Sequence, residues 1–216
     1  MILTVERLKQ VRREIAYRKY KGSDRKELVR VIEKAYGINR FFEHEKDILC
    51  CAEICLLNGL IQSDFVRVMT INGKPQGVIA GYFGKAKSKG IFYKLKRLIQ
   101  WGKLKLPKRN RECMCDLKKI RQIDGELFST GNWNGGTVSL FAVNPNCCAE
   151  EKNGLLGLWK KSIKILEKRG SRILLENHSD IGYFEKNGFQ KKVQREIMIQ
   201  PAGQRFRFYR YLYVEG

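Results

Sequence analysis

A strand-like run, a polar loop and an amphipathic helix follow one another between residues 136 and 169, and this order constrains the fold more than any other feature. The run "GTVSLFAVNP" at 136–145 has the composition of a central strand. The pattern at 154–169 repeats apolar residues on one helix face. Many proteins bind a phosphorylated cofactor between such a strand and helix, because the first N–H groups of the helix point at the ligand. The loop "NCCAEEKNG" is unusual for that purpose, since it has two cysteines, two glutamates and one glycine.

Length and composition predict one globular domain over residues 1–216. The chain is long enough to bury a core, and its hydrophobic content of 43% is that of a folded protein. No uninterrupted apolar run reaches the roughly 18 residues that a membrane-spanning helix requires. Charged residues near the start occupy the place of the apolar segment of a signal peptide. We therefore expect a cytoplasmic protein.

The cysteines predict reduced thiols and no metal site. They occur in adjacent or near-adjacent pairs, which cannot bridge internally without strain. Their CC and CxC spacing differs from the two CxxC-like pairs of a typical zinc site, and His44 and His178 are far from both in sequence. The seven residues are Cys50, Cys51, Cys55, Cys113, Cys115, Cys147 and Cys148.

The first third of the chain predicts two helices and three strands. A short strand at 14–20 precedes a helix, for which Asp24 is the expected N-cap and Glu27 its partner in a capping box. A second helix over about 46–60 is almost wholly apolar on one side. The strands "FVRVMTI" and "QGVIAGYFG" meet at Asn72-Gly73, the dipeptide most typical of a tight hairpin.

A basic helical insertion over about 85–130 comes next. The formal net charge of the chain is +21, and residues 85–121 hold 14 Lys or Arg and only two acidic residues. This concentration predicts an anionic partner. Two helices are predicted by apolar residues at helical spacing, which are Ile91, Leu95, Leu98 and Ile99 before Pro107, and Cys113, Leu117 and Ile120 after it.

The last third predicts a buried strand, a short helix and a final pair of strands. The strand is "RILLEN", the helix and its following turn are "DIGYFEKNGF", and the pair is "QKKVQREIMI" with "RFRFYRYLYV". The aromatic-rich last strand is a candidate edge strand that pairs with another chain, which leaves a homodimer open.

This order of elements, β-α-α-β-β-(insertion)-β-α-β-α-β-β, resembles the GCN5-related N-acetyltransferase superfamily. Three stretches carry the resemblance: "IAYRKYKGSDRKELVRVIEKAYG", then "TVSLFAVNP" with a helix ending in "EKRG", and finally "RILLENHSDIGYFEKNGF". It covers roughly residues 14–214 apart from the insertion. The resemblance implies an α/β (α+β) fold, with a mixed, mostly antiparallel twisted sheet and helices on both faces. It also implies transfer of an acetyl group from acetyl-CoA, as co-substrate, directly to an amine of an unidentified acceptor.

The resemblance places the pyrophosphate of coenzyme A at the loop after the central strand. Counting from the proline of "VNP" puts Cys148 at the family's basic position and Ala149 at its first glycine, and one extra residue brings Gly154 to the last glycine. Glu150 and Glu151 put negative charge near the phosphates, where like charges repel. The candidate loop residues are Cys148, Ala149, Lys152, Asn153 and Gly154, of which Lys152 offsets part of this repulsion.

The remaining cofactor contacts are also implied by the resemblance. The central strand of the family splays from the next strand, and the pantetheine arm lies in the opening. Backbone groups of Phe141, Ala142 and Val143 are therefore expected to bond the cofactor. Asn177, at the end of the following strand, matches a residue that often touches the cofactor arm.

Proton transfer is assigned in the same way. The family often uses a tyrosine hydroxyl as general acid toward the leaving thiolate. At the matching position this chain has Phe184, and Tyr183 beside it is the candidate acid. The candidate general bases are Glu126, upstream of the central strand, and Glu176, at the end of the next one.

Two functional hypotheses remain at this stage. The first is an N-acetyltransferase, and the second is a catalytically degenerate relative that binds an anionic partner, either nucleic acid or an acidic protein. The insertion has several interpretations: a solvated charged surface that covers the acceptor cleft as a lid, an electrostatic funnel for coenzyme A, a docking surface for nucleic acid or an acidic membrane, or a binding surface for an acidic acceptor molecule.

Overall fold

The computed structural model describes residues 14–83, 90–128, 136–147, 172–177, 189–199 and 204–214, with 157, 158, 160, 162 and 164 between them. The strands are β1 Ile15–Lys19, β2 Phe65–Ile71, β3 Lys74–Phe83, β4 Gly136–Val143, β5 Arg172–Asn177, β6 Phe189–Ile199 and β7 Gln204–Val214. The helices are α1 Arg25–Tyr36, α2 Glu45–Gln62, α3 Ile91–Lys105 and α4 Arg111–Phe128. The described residues between 157 and 164 are helical and are called α5.

The seven strands form one sheet in the order β1-β2-β3-β4-β5-β7-β6. Neighbouring strands are antiparallel except for β4 and β5, which are parallel. The mixed, mostly antiparallel sheet is therefore confirmed. The β2–β3 hairpin also turns where expected, because Asn72 and Gly73 both have the positive φ, 50° and 78°, of a tight hairpin turn.

The expectation that the last strand lies at an edge was wrong. β7 pairs with β5 on one side and with β6 on the other, so that β6 is the edge strand. The β6–β7 hairpin folds back so that its second strand fills the place beside β5. The aromatic-rich run is thus interior to the sheet, and it offers no free backbone edge to another chain.

Helices α1 and α2 cover one face of the sheet. They bury apolar side chains against the strand residues whose side chains alternate toward that face. The fully or almost fully buried members of this layer include Leu28, Ile32, Leu56, Leu57, Val68, Val78, Ala80, Leu140 and Ala142. Cys50 and Cys51 lie in the same cluster and act as small hydrophobic residues, as the sequence predicts.

Helix α5 lies on the opposite face. Gly157 abuts the hydroxyl of Tyr17, so closely that a Cβ at this position would overlap it. Tyr17 alternates with Arg18, whose guanidinium reaches Asp24 beside α1, and the two side chains therefore leave β1 on opposite faces. The buried side chains Leu158 and Ser162 lie one turn apart on the same face of α5. Helices on both faces are thus confirmed.

The N-terminus of α1 differs from the sequence prediction. Asp24 precedes the helix, but its side chain makes no cap hydrogen bond within α1. It instead accepts two bonds of 2.6 Å from the Arg18 guanidinium and one of 2.8 Å from the Lys21 N–H. The expected capping box with Glu27 is wrong, because the partly exposed Arg18 guanidinium outcompetes the local helix N–H groups for this buried carboxylate.

The basic insertion forms two helices, α3 and α4, as predicted. Helix α3 packs on the outer side of α2, where Leu104 is fully buried and Trp101 is half-buried. Helix α4 begins against the α1–α2 connection, where the Cys113 thiol donates to the Phe41 carbonyl at 2.6 Å. Among the described residues, no helix is long and apolar enough to cross a lipid bilayer.

Candidate active site

Strands β4 and β5 pair over only three residues each. Gly136, Thr137 and Val138 lie beside Ile173, Leu174 and Leu175. Beyond this point β4 continues to Val143 and β5 to Asn177, with no pairing recorded between the described residues of the two strands. The two strands thus separate toward their carboxyl ends and leave a gap in the sheet.

A β-bulge opens this gap. In the β3–β4 ladder Ala80 lies opposite Leu140 and Gly81 lies opposite Val138, so that Ser139 is an extra residue in β4. A bulge bends the strand that contains it and increases the local twist. Because the bulge follows Val138 directly, the bend in β4 begins where pairing with β5 ends.

Helix α2 holds the bent part of β4. Gly59 lies against Leu140 so closely that a Cβ at Gly59 would stand 2.9 Å from Leu140 Cδ2. Ser63, just after the helix, shares a hydrogen bond of 2.7 Å with Ser139 through the two hydroxyls. Both contacts lie at or next to the bulge, so the close packing of α2 stabilises the bend that opens the gap.

The backbone of β4 presents alternate residues to the gap. The Asn144 N–H donates to the Gln76 carbonyl at 2.9 Å, which makes this a hydrogen-bonded pair of the β3–β4 ladder. Because such pairs alternate along an antiparallel ladder, Ala142 bonds Val78 in β3, while Phe141 and Val143 direct their backbone groups away from β3. Phe141 and Val143 thus face the side of the gap, and the cofactor contact expected of Ala142 stays a prediction.

Tyr36, in the last turn of α1, reaches the same place. Its hydroxyl donates to the Phe141 carbonyl at 3.3 Å. The α1–α2 connection is thereby tied to the part of β4 that lines the gap. Helix α4 packs on this connection at its start and also contacts β6, on the far side of β5.

The loop after β4 begins as a closed turn. The Asn144 side chain donates to Gln76 Oε1 at 2.7 Å, and its Oδ1 accepts the Asn146 N–H at 3.1 Å. The Cys147 N–H then donates to the Asn144 carbonyl at 3.2 Å, and Cys147 is buried. This side chain packs inward from the loop, which suits a structural thiol better than a nucleophile.

The predicted site residues outside β4 fall into three groups by position. Glu176 and Asn177 lie beyond the last β5 residue that pairs with β4, across the gap from Phe141 and Val143. Glu126 lies in the last turns of α4. The remaining predicted residues, Cys148, Ala149, Lys152, Asn153, Gly154 and Tyr183, lie outside the described residues.

Three features of the site were missed by sequence reasoning. They are the Ser139 bulge, the close approach of Gly59 and the Tyr36 hydroxyl. The one available signal was Gly59, because a glycine inside an otherwise apolar helix usually has a packing reason. Helix α4 also contains a buried carboxylate. Asp116 is 1% exposed, and it accepts a hydrogen bond of 3.1 Å from the Lys119 ammonium group. Within the described part of the chain no cluster of three or more metal-ligating side chains occurs.

Solved structures with this architecture are numerous at low sequence identity. PH1933 from Pyrococcus horikoshii OT3 is 16% identical, with a TM-score of 0.57 over 94% of this chain and 99% of that one. The ribosomal-protein-S18-alanine N-acetyltransferase from Escherichia coli is 14% identical, with a TM-score of 0.52 over 93% and 94%. The C-terminal condensation domain of Ebony, solved in complex with beta-alanyl-dopamine, is 10% identical, with a TM-score of 0.57 over 94% and 100%.

The chain therefore has the fold of the GCN5-related N-acetyltransferases. At these identities the likeness shows the fold alone. No protein-family model and no curated protein matches the sequence.

Proposed function

We propose that this protein is an N-acetyltransferase that takes an acetyl group from acetyl-CoA and passes it directly to the amine of an acceptor. The proposal is carried by one observation, the gap that opens between β4 and β5 at the Ser139 bulge. An extended pantetheine arm has amide groups that can bond strand backbone as a neighbouring strand does. The separated part of β4 supplies such backbone groups at Val143.

The chemistry in the gap needs one new bond and one broken bond. The amine nitrogen attacks the thioester carbonyl, the C–N bond forms, and the C–S bond breaks. Glu126 or Glu176 is proposed to accept the amine proton, and Tyr183 to donate a proton to the leaving thiolate. Glu176 has the stronger support, because its backbone lies at the edge of the gap.

The phosphates are proposed to lie at the turn that leads from β4 toward α5. Backbone N–H groups of Cys148, Ala149, Asn153 and Gly154 would hold them, with Lys152 as the local cation. The Asn144-centred turn supports this assignment, since it closes the end of β4 and directs the chain into the loop. Asn177 would contact the arm from the β5 side.

Calorimetry of the wild-type protein and of Val143→Pro with acetyl-CoA tests the proposal. Proline removes the N–H that faces the gap and leaves the β3–β4 hydrogen bonds in place, because Val143 and its β3 partner Gly77 form a non-hydrogen-bonded pair of the ladder. We expect wild-type binding at micromolar or better affinity and a loss of about tenfold in the proline variant. The matched control, Val143→Ala, keeps the N–H and should bind as the wild type does.

The catalytic roles have separate tests. Tyr183→Phe should lower the acetylation rate about tenfold or more at unchanged acetyl-CoA affinity if this hydroxyl is the general acid. Glu176→Gln and Glu126→Gln are assayed against a panel of amines across pH. A general base acts in its deprotonated form, so the acetylation rate of the wild type should rise with pH. The variant in which this rise is lost identifies the base. Unchanged turnover in Tyr183→Phe would assign that residue to packing.

The alternative is a protein that has the fold but does not use acetyl-CoA. The loop with Glu150 and Glu151 favours it, since two carboxylates disfavour bound phosphates. The same fold in the Ebony condensation domain is a reason to test the acyl donor directly. An absence of calorimetric heat with acetyl-CoA, in protein that unfolds cooperatively, would favour this alternative over the enzyme.

A further inference from the structure

The exposed large hydrophobic side chains of the described residues are concentrated on one helix. All lie in α3 or at its C-cap, and each is at least half exposed. They are Ile91 at 86%, Phe92 at 60%, Leu95 at 58%, Leu98 at 63%, Ile99 at 50% and Leu106 at 82%. A folded protein rarely leaves so many neighbouring apolar side chains in water without a partner for them.

These side chains form one continuous face. At about 100° of rotation per residue, the six residues and Gly102 occupy an arc of about 120° that contains no polar side chain. Lysines border the arc on both sides, Lys96 and Lys103 on one and Lys94 and Lys105 on the other. Lys96 also lies 4.2 Å from the centre of the Phe92 ring.

The opposite side of α3 packs against α2 and forms hydrogen bonds with it. Leu104 is fully buried, and Tyr93 and Trp101 pack against the helical core. Arg97 donates to the Asn58 side chain at 3.0 Å, and Gln100 donates to Glu53 at 3.1 Å. The contacts with α2 therefore fix the rotation of α3 about its axis and hold the apolar face outward.

We propose that α3 is a membrane-docking helix that lies in the plane of an anionic lipid surface. An interfacial helix needs an apolar face that enters the boundary of the acyl chains, and cationic side chains beside it that meet acidic headgroups. The lysines on both sides of the arc supply this arrangement, and long lysine side chains reach headgroups while their stems cover apolar surface.

Charge selects this partner over a second copy of the chain. Two α3 faces in contact would bring four lysines of each copy together, in a protein whose net charge is already +21. Anionic headgroups remove that repulsion. A nucleic acid would match the lysines but would leave the apolar arc in water, since a phosphate backbone has no apolar counterpart for six large side chains.

Vesicle flotation at physiological ionic strength tests the proposal. The probes are phosphatidylcholine vesicles with and without phosphatidylglycerol. We expect binding of the wild-type protein to the acidic vesicles, and a loss of about tenfold or more in Leu95→Glu/Leu98→Glu. The matched control, Asn39→Asp/Asn146→Asp, adds the same two negative charges at exposed positions outside α3 and should bind as the wild type does.

A second pair of variants tests whether vesicle binding depends on the lysines beside the apolar arc or only on the total positive charge of the protein. Lys96→Gln/Lys103→Gln/Lys105→Gln should weaken binding to acidic vesicles about tenfold or more. Lys19→Gln/Lys34→Gln/Lys74→Gln removes the same charge from exposed positions elsewhere and should have a much smaller effect.

Three results would overturn the proposal. The first is equal binding of wild type and Leu95→Glu/Leu98→Glu to acidic vesicles, and the second is no binding of the wild type at all. The third is binding to duplex DNA or RNA that exceeds vesicle binding at the same salt and is unchanged by the leucine substitutions. None of these readouts requires acetyl-CoA, so they are independent of the proposed enzymatic activity.

Discussion

At the scale of single residues, the pair Arg18 and Asp24 joins strand β1 to the start of α1. Asp24 is only 4% exposed, and its two carboxylate oxygens each accept a bond from the guanidinium. Burial raises the pKa of Asp24. The hydrogen bonds and charge of Arg18, together with the Lys21 N–H, lower this pKa by more than burial raises it, so that it lies below its usual value.

Substitution of this carboxylate should destabilise the protein. Asp24→Asn leaves the guanidinium without its charge partner, and we expect the free energy of unfolding to fall by about 2–3 kcal/mol in urea titrations at pH 7. Glu27→Gln, an exposed change in the first turn of the same helix, should cost less than about 0.5 kcal/mol. If Glu27→Gln lowered the free energy of unfolding more than Asp24→Asn does, the result would support an Asp24–Glu27 capping box and contradict the structure.

The pH dependence of stability follows from the direction of the same shift. Because the folded pKa of Asp24 is lowered, its contribution is fully present above the unfolded value of about 3.9 and is lost as pH falls through the folded value. We expect the stability difference between wild type and Asp24→Asn to shrink on acidification below about pH 4. A difference that stayed constant down to pH 2 would contradict the ion pair.

At the scale of elements, the contact between α2 and β4 controls the shape of the candidate site. A methyl group at Gly59 would press on Leu140, next to the bulge. Gly59→Ala should therefore lower the free energy of unfolding by about 1–2 kcal/mol, because the clash exceeds the gain of about 1 kcal/mol in helix propensity. It should also weaken acetyl-CoA binding, measured by calorimetry, since the bend of β4 depends on this contact.

Gly102 provides the matched control. It lies in helix α3, and a Cβ there would meet no atom within 4 Å. Gly102→Ala should therefore stabilise the protein by about 0.5–1 kcal/mol and leave the candidate site unchanged. Equal responses of Gly59→Ala and Gly102→Ala would show that the close approach of α2 to β4 has no energetic consequence.

At the scale of the whole molecule, the gap and the exposed face of α3 are separate. Helix α3 packs on the outer side of α2, α2 packs on a face of the sheet at β4, and the gap lies within the sheet between β4 and β5. The two proposed activities should therefore respond to different variants. Leu95→Glu/Leu98→Glu should retain wild-type affinity for acetyl-CoA, and Val143→Pro should retain wild-type binding to acidic vesicles, with both assays run on the same preparations. A variant that lost both would indicate global unfolding, which far-UV circular dichroism detects.

The elements were predictable from the sequence wherever local signals determine them. The turn at Asn72-Gly73, the two helices of the insertion and the strands follow from turn chemistry and from apolar periodicity, and the structure confirms them. The partner of Asp24 was not predictable, since Arg18 reaches it from a neighbouring strand and competes with the local N–H groups.

Local patterns in the sequence were enough to assign the strands and helices of the described segments, and they identified the strand whose carboxyl end lines the candidate site. The short helix predicted in "DIGYFEKNGF" lies outside the described residues, except for Phe189, which begins β6. Three features depend on tertiary pairing: β7 lies inside the sheet, Ser139 forms a bulge, and the backbone groups of Phe141 and Val143 face the gap. Apolar periodicity reports which face of an element is buried. Strand order, register and bulges depend on pairing between residues far apart in the chain, and no local pattern records that pairing.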